Sequence, residues 1–149
     1  MPERFLILKK SKKKYGFRGY VASGRINGHF IPQHVQNIVI RDYANKNNLL
    51  YKLSSSEYIM ENSTMILESL ICELDKLEGI ILYSMFQLPS DRIYRTNFYK
   101  KIIESKCTLH AAVENNMLID DSDIVKWEEI LILSQIIPDN IEEIKNVVH

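Results

Sequence analysis

The chain has 149 residues, of which 46% are hydrophobic and 26% are charged, and its 19 basic and 19 acidic residues give a formal net charge of zero. A chain of this length buries roughly 68–70% of its unfolded surface, so this composition excludes a disulfide-rich secreted scaffold, a collagen-like chain and a wholly disordered one. The two cysteines, Cys72 and Cys107, form no Cys-x-x-Cys motif, which excludes a zinc ribbon and predicts a reducing, cytoplasmic location.

The zero net charge conceals an uneven distribution. Residues 1–25 hold eight basic residues and one acidic residue (+7), whereas residues 114–149 hold two lysines and nine acidic residues (−7). The run from Lys9 to Lys14 can contact a phosphate backbone or acidic lipids, or it can be a solvated arm. No apolar run reaches the ~20 residues of a membrane span, and the start lacks the apolar region of a secretory signal. We predict a basic arm over 1–15 and one domain over 16–149, with an acidic helical segment from about 120.

From residue 16 onwards, short apolar runs alternate with segments of helical periodicity. The predicted strands, in chain order, are Phe17 to Ala22, Leu49 to Leu53, Gly79 to Ser84 and Thr108 to Val113. The first helix is predicted to open with Pro32 as its first residue, with Val35, Ile38, Val39 and Tyr43 facing the core. The second follows Ser63, with Leu67, Leu70, Ile71, Leu74 and Leu77, and the third follows Asp91. The fourth follows Ser122, with Ile124, Trp127, Ile130 and Leu131. This alternation predicts one flavodoxin-like α/β domain, an open, mostly parallel sheet of about four strands with helices on both faces.

Ligands of such sheets bind beyond the carboxyl ends of the strands. The first segment at that edge, Ser23 to Ile31, contains two glycines that permit tight turns, together with Arg25 and His29. These side chains and the N-terminus of the next helix can hold a phosphate or a carboxylate. Polar residues then follow along one side of that helix, which is either a binding face or an ordinary solvated face: Gln33, His34, Asn37 and Arg41.

Candidate catalytic groups lie at the same edge. Ser23 is a possible nucleophile, and His34 or Glu57 is the acid or base, since a carboxylate near Arg25 would be oriented by the ion pair. Further candidate ligand contacts follow the third and fourth strands: Tyr83, Ser84 and Glu114. His110 lies inside the fourth strand, where we expect a hydrogen-bonded core histidine. The histidines lack metal-ligand spacing, so we expect no metal ion. We also expect no cofactor.

The order of these elements resembles the catalytic domain of the serine recombinases, over roughly residues 17–115. The matching parts are Gly19 to Ser23, then Gln36 and the helix ending Ile40 to Ala44, then Gly79 to Leu88. The resemblance implies a resolvase-like fold with the site beside Ser23, where that family has its nucleophilic serine. However, Val21 stands where the family has an arginine, no arginine occurs after Leu88 until Arg92, and the C-terminal end is acidic. We therefore do not expect DNA as a partner.

A second resemblance is to the sporadic carbohydrate cluster proteins of bacterial surface-carbohydrate biosynthesis. It rests on longer motifs, which are Gly16-Phe17-Arg18-Gly19-Tyr20, Asn27-Gly28, Ile31-Pro32-Gln33-His34-Val35-Gln36-Asn37, Ile40-Arg41-Asp42-Tyr43, Leu53-Ser54 with Glu57-Tyr58, and Leu82-Tyr83-Ser84-Met85-Phe86-Gln87-Leu88-Pro89. One departure is that Gly24 separates Ser23 from Arg25, where the family is expected to have an arginine directly after the serine. The resemblance implies a role in making a surface sugar.

Together these features lead us to expect an enzyme that acts on a small anionic, carbohydrate-derived metabolite, with Arg18, Arg25 and Arg41 as candidate anion clamps. The alternative is a noncatalytic binding or assembly protein of a carbohydrate gene cluster, a possible homodimer that exposes a large apolar patch. A third interpretation is nucleic-acid binding through the Lys9 to Lys14 run.

Overall fold

The computed structural model describes residues 15–23, 25–26, 28–57 and 65–148, without the side chains of residues 53–57 and 135–148. The lysine run at 9–14 and the predicted helix start at Ser63 therefore lie outside the described residues. The strands are β1 Phe17–Ala22, β2 Arg25–Ile26, β3 His29–Phe30, β4 Tyr51–Glu57, β5 Gly79–Leu82, β6 Thr108–Ala111 and β7 Asn116–Leu118. The helices are α1 Gln33–Lys46, α2 Met65–Cys72, α3 Arg92–Glu104 and α4 Asp121–Val148, and 3₁₀ turns cover Leu74–Lys76 and Met85–Gln87.

Five strands form one open sheet in the order β4-β1-β5-β6-β7. The first four are parallel and β7 is antiparallel to β6, which confirms the predicted α/β class and the mostly parallel sheet. The register places Tyr20 of β1 beside Leu82 of β5, and Leu82 beside Ala111 of β6. The carboxyl ends of these strands therefore meet at one edge, and the strand order reverses between β1 and β5.

Two small strand pairings were not predicted. The segment predicted as one strand from Thr108 to Val113 ends at Ala111, because the chain turns through 112–115 with Asn115 in the left-handed region (φ 52°) and returns as β7. The predicted loop after β1 contains the short antiparallel hairpin β2–β3, in which Gly28 adopts φ 81°. The sheet thus has five strands instead of about four.

Helices cover both faces of the sheet, as predicted. The larger core lies between the sheet and α2, α3 and α4, and its fully buried side chains include Leu67, Leu70, Phe98, Tyr99 and Trp127. The core on the other face contains Phe17, Val21, Ile40, Tyr43, Ala44 and Ile81. Within the described parts of the chain, only α1 contributes helical side chains to this second core.

The predicted core face of α1 is wrong in part. Tyr43 is buried and Val39 is half-buried, but Val35 and Ile38 are exposed. The buried positions of the helix are Gln36, Ile40, Tyr43 and Ala44. The reason is that the Gln36 amide bonds to the backbone at the end of β1, which turns this helix so that a polar residue faces the sheet.

A buried ion pair joins α3 to α4. The guanidinium of Arg95 donates two hydrogen bonds to the carboxylate of Glu128, at 3.0 and 2.9 Å, and Tyr99 donates a third at 3.0 Å. Arg95 also donates to the carbonyl oxygens of Pro89 and Ser90. The pair therefore fixes the loop after β5 as well as the two helices. None of the helices within the described residues is both long and apolar enough to cross a bilayer.

Candidate functional site

The hairpin β2–β3 stands directly at the carboxyl edge of the sheet. It follows β1 after Ser23 and leads into α1, and its strands pair Arg25 with Phe30 and Ile26 with His29. Ile26 is buried and anchors the hairpin, whereas Arg25 and His29 are exposed. The hairpin therefore presents a guanidinium and an imidazole at the point where the strand order reverses, which is where open α/β sheets bind ligands.

Gln36 ties this hairpin to the sheet. Its side chain is fully buried, and its Oε1 accepts hydrogen bonds from the Ala22 N–H at 3.0 Å and from Gln87 Nε2 at 2.8 Å. Its Nε2 donates to the carbonyl oxygens of Ala22 at 2.7 Å and Ile31 at 2.8 Å. Ala22 precedes the hairpin and Ile31 follows it, so one amide group holds both of its ends.

The loops after β5 and β6 are joined by a second set of hydrogen bonds. Ser84 Oγ donates to Glu114 Oε2 at 2.8 Å, and the Met85 N–H donates to Glu114 Oε1 at 2.8 Å. Ser84 also caps the 3₁₀ turn by accepting from the Phe86 N–H, and Gln87 Oε1 accepts from the Ser84 N–H. The structure therefore brings together the predicted ligand contacts Ser84 and Glu114, and both carboxylate oxygens of Glu114 accept hydrogen bonds from the protein itself.

The predicted catalytic residues lie near this edge. Ser23 follows β1 and is half-buried, and His34 is exposed in the first turn of α1. Glu57 ends β4 opposite Ala22 in the register, although its side chain lies outside the described part. Tyr83, directly after β5, packs half-buried against the α1 core.

The candidate anion-binding residues divide into two groups. Arg25 is at the edge, and Gln33 is half-buried in the first turn of α1. Asn37 and Arg41 lie farther along α1, over β4, since Asn37 accepts from the Tyr51 hydroxyl at 3.3 Å and the Arg41 guanidinium carbon lies 5.6 Å from the Tyr51 ring centre.

Arg18 does not reach this edge. It is the second residue of β1, four residues or roughly 13 Å before Ala22, and its guanidinium pairs with Glu73 at 3.6 Å. Glu73 immediately precedes the 3₁₀ turn that leads towards the start of β5. Arg18 and Arg25 therefore lie at opposite ends of the strand.

His110 is the core histidine that the sequence predicted. Its side chain is 2% exposed, Nδ1 lies 2.7 Å from the Tyr43 hydroxyl and Nε2 lies 2.9 Å from Thr108 Oγ1. Burial lowers the pKa of His110 from 6.5 to about 4 and raises the pKa of Tyr43, because a charged form is disfavoured away from water. Among the described residues, no three histidine, cysteine, aspartate or glutamate side chains gather as metal ligands.

Sequence reasoning missed Gln36 and Gln87 as parts of the site. Two signals were present, however. Gln36 precedes Ile40 and Tyr43 at core-facing helical spacing, and a polar residue at such a position must find buried partners. The Ser84-x-x-Gln87 spacing is that of a capping box, which the structure contains.

No protein-family model, no curated protein and no solved structure matches the chain.

Proposed function

We propose that the chain is an enzyme of bacterial surface-polysaccharide biosynthesis and binds a small anionic, carbohydrate-derived metabolite, such as a sugar phosphate or a nucleotide sugar, at the carboxyl edge of its sheet. The observation that most supports ligand binding is the hairpin, which holds Arg25 and His29 in solvent where the strand order reverses between β1 and β5. The surface-sugar role is supported by the sequence motifs described above.

The chemistry of the edge suits an anion. A guanidinium such as that of Arg25 can bind phosphate or carboxylate oxygens through two parallel hydrogen bonds. The N-terminus of α1, next to the hairpin, adds the positive end of a helix dipole. Arg25 thus acts as the anion clamp of the proposed site.

The same edge offers groups for proton transfer. The imidazole of His34 is exposed in the first turn of α1, and Ser23 and Glu57 occupy neighbouring strand ends. A histidine or a carboxylate can exchange a proton with a sugar hydroxyl, and a serine can act as a nucleophile when a base is close. We assign the acid or base role to His34 or Glu57, and the nucleophile to Ser23.

The test is a thermal-shift and calorimetric screen against sugar phosphates and nucleotide sugars. A ligand present at 100 times its dissociation constant adds about 2.7 kcal/mol to the free energy of unfolding. We expect one sugar class to stabilise the protein and Arg25→Ala to weaken that ligand about tenfold or more. The control is Arg92→Ala, an exposed arginine on α3, which should bind like the wild type. The absence of any stabilising ligand in either class would contradict the proposal.

A second candidate function is a noncatalytic assembly protein, and one feature favours it. Apolar side chains are exposed on the α1 side of the sheet: Val35 (37%), Ile38 (61%) and Met117 (43%). Met117 lies on that side because it pairs with His110, whose ring contacts Tyr43 of α1.

If a second copy covers these side chains, the protein sediments at twice its 17.5 kDa mass. Ile38→Glu then makes it a monomer, whereas the control Ile93→Glu on α3 does not. A wild-type monomer would contradict this candidate.

A further inference from the structure

The segment from Ser23 to Ile31 leaves the sheet and returns at one point, and a single side chain spans that point. The two N–H groups of the Gln36 amide donate to the carbonyl oxygens of Ala22 and Ile31, at 2.7 and 2.8 Å. Its oxygen accepts from the Ala22 N–H. A side chain without both donors and an acceptor removes the partner of half-buried backbone groups at both ends of the hairpin.

A chain of hydrogen bonds extends from Gln36 to the other strand ends. Gln87 donates to Gln36 at 2.8 Å and accepts from the Ser84 N–H, and the Ser84 hydroxyl donates to Glu114. Gln36 is fully buried and Ser84 is 2% exposed, whereas Gln87 and Glu114 are half-buried, so the chain of bonds is partly shielded from water. The ends of β1, β5 and β6 are thereby held in one arrangement.

We infer that Gln36 is a positioning residue, which sets where the hairpin presents Arg25 and His29, and that Gln87 couples this position to the loop after β5. Gln36 does not itself contact the ligand, because the protein already uses both of its donors and its oxygen accepts twice. This inference rests on the proposed function in one respect, which is that the hairpin binds an anion. The position of the hairpin does not depend on a ligand.

Backbone amide exchange in the ligand-free protein tests the placement directly. We expect Gln36→Met to speed hydrogen exchange of the hairpin amides about tenfold, and Gln87→Met about 3-fold, because each variant loses side-chain hydrogen bonds that hold the ends of the hairpin. Amides of β5 and β6 should keep their wild-type exchange in Gln87→Met. The matched control is Ile102→Val in the core of the opposite face, which lowers global stability without touching the hairpin and should leave hairpin exchange unchanged. If Gln36→Met does not fold, Gln87→Met alone decides the result.

Binding of inorganic phosphate, measured by calorimetry on the same proteins, separates this inference from the proposed function. We expect both glutamine variants to bind phosphate more weakly, by about 3- to 10-fold, and Ile102→Val to bind it normally. Unchanged hairpin exchange and unchanged phosphate affinity in Gln87→Met and Gln36→Met would overturn the positioning role while the proposed anion site stands. Faster hairpin exchange in a protein whose wild type binds no phosphate or sugar phosphate would support the positioning role and overturn the anion site.

Discussion

His110 makes the stability of the protein depend on pH. In the folded state its pKa is about 4, against 6.5 for an ordinary histidine, so between these values the unfolded chain binds more protons than the folded one. Stability therefore rises with pH across this window and is lost as pH falls from about 6.5 to about 4. A shift of this size is worth about 3 kcal/mol, since the ring is almost wholly buried.

We predict that His110→Gln removes this pH dependence. The variant is less stable than the wild type at pH 7, because the packing and hydrogen bonds of the ring are lost, and the difference shrinks as pH falls to about 4. Urea unfolding at several pH values measures it. Tyr43→Phe is the control, since it removes the hydroxyl partner of His110 but keeps the titrating ring, and it should retain the wild-type slope. A difference between wild type and His110→Gln that stays constant with pH would contradict the assignment.

The Arg95–Glu128 pair gives a second prediction for single residues. Arg95→Met leaves the Glu128 carboxylate buried, with Tyr99 as its remaining buried donor, so we expect a loss of about 3–5 kcal/mol in the free energy of unfolding. Arg92 is the control. It lies 3.8 Å from the same carboxylate with 71% of its side chain exposed, and Arg92→Ala should cost less than about 1 kcal/mol. Denaturant titrations that show equal losses for both variants would be evidence against a structural role specific to Arg95.

The role of a single side chain can be predicted from the sequence when the hydrophobic pattern around it and its own chemistry favour the same environment. His110 stands inside an apolar run, and a buried neutral imidazole is what such a position favours, so its core role was predicted correctly. At Gln36 the two disagree, because a polar amide stands at a position that faces the core. Its burial depends on backbone groups of β1 that are 14 residues away in the sequence. Only the assembled sheet brings these partners together.

At the scale of the elements, all four residues of β5 are buried, between β1 and β6. A Cβ on Gly79 would collide with the carbonyl oxygen of Thr108 in β6 and lie 2.7 Å from a ring carbon of Phe17 in β1. We predict that Gly79→Ala lowers the free energy of unfolding by about 1–3 kcal/mol, because the neighbouring backbone must shift. Urea unfolding measures the loss.

Gly28→Ala serves as the comparison, because its Cβ would meet open space at φ 81°. Its cost is backbone strain confined to the hairpin, about 1 kcal/mol. A larger loss in Gly28→Ala than in Gly79→Ala would contradict the account of β5.

The bounds of the strands and helices show which local sequence patterns were sufficient to predict an element. The predicted β1 from Phe17 to Ala22 and the start of α3 after Asp91 match the structure, because a continuous apolar run and an N-cap are signals contained in the segment itself. β7 was missed because its three residues form a strand by pairing with β6, and nothing within such a short segment indicates that partner. The rotation of α1 was missed because Val35 and Ile38 fit an apolar stripe that the structure leaves exposed.

For the whole molecule, the class and the parallel sheet were predicted from alternation alone, whereas the strand order required the structure. That order places the ends of β1 and β5 side by side, with the hairpin between β1 and α1. A groove of about 330 Å³ lies between α2 and α3, the helices on the face of the sheet opposite to α1. Its lining residues are Glu68, Ile71, Cys72, Tyr94, Asn97, Phe98 and Lys101. The edge and this groove are thus two separate places where a ligand can be sought.

The most direct test of the account is an amide chemical-shift titration of the protein with a sugar phosphate such as glucose 1-phosphate. We predict that the largest shifts occur in the hairpin, residues 25–31, and in the first turn of α1, and that Arg25→Ala abolishes them while Arg92→Ala does not. Shifts confined to the groove between α2 and α3, or no shifts with sugar phosphates and nucleotide sugars alike, would contradict an anion site at the carboxyl edge of the sheet.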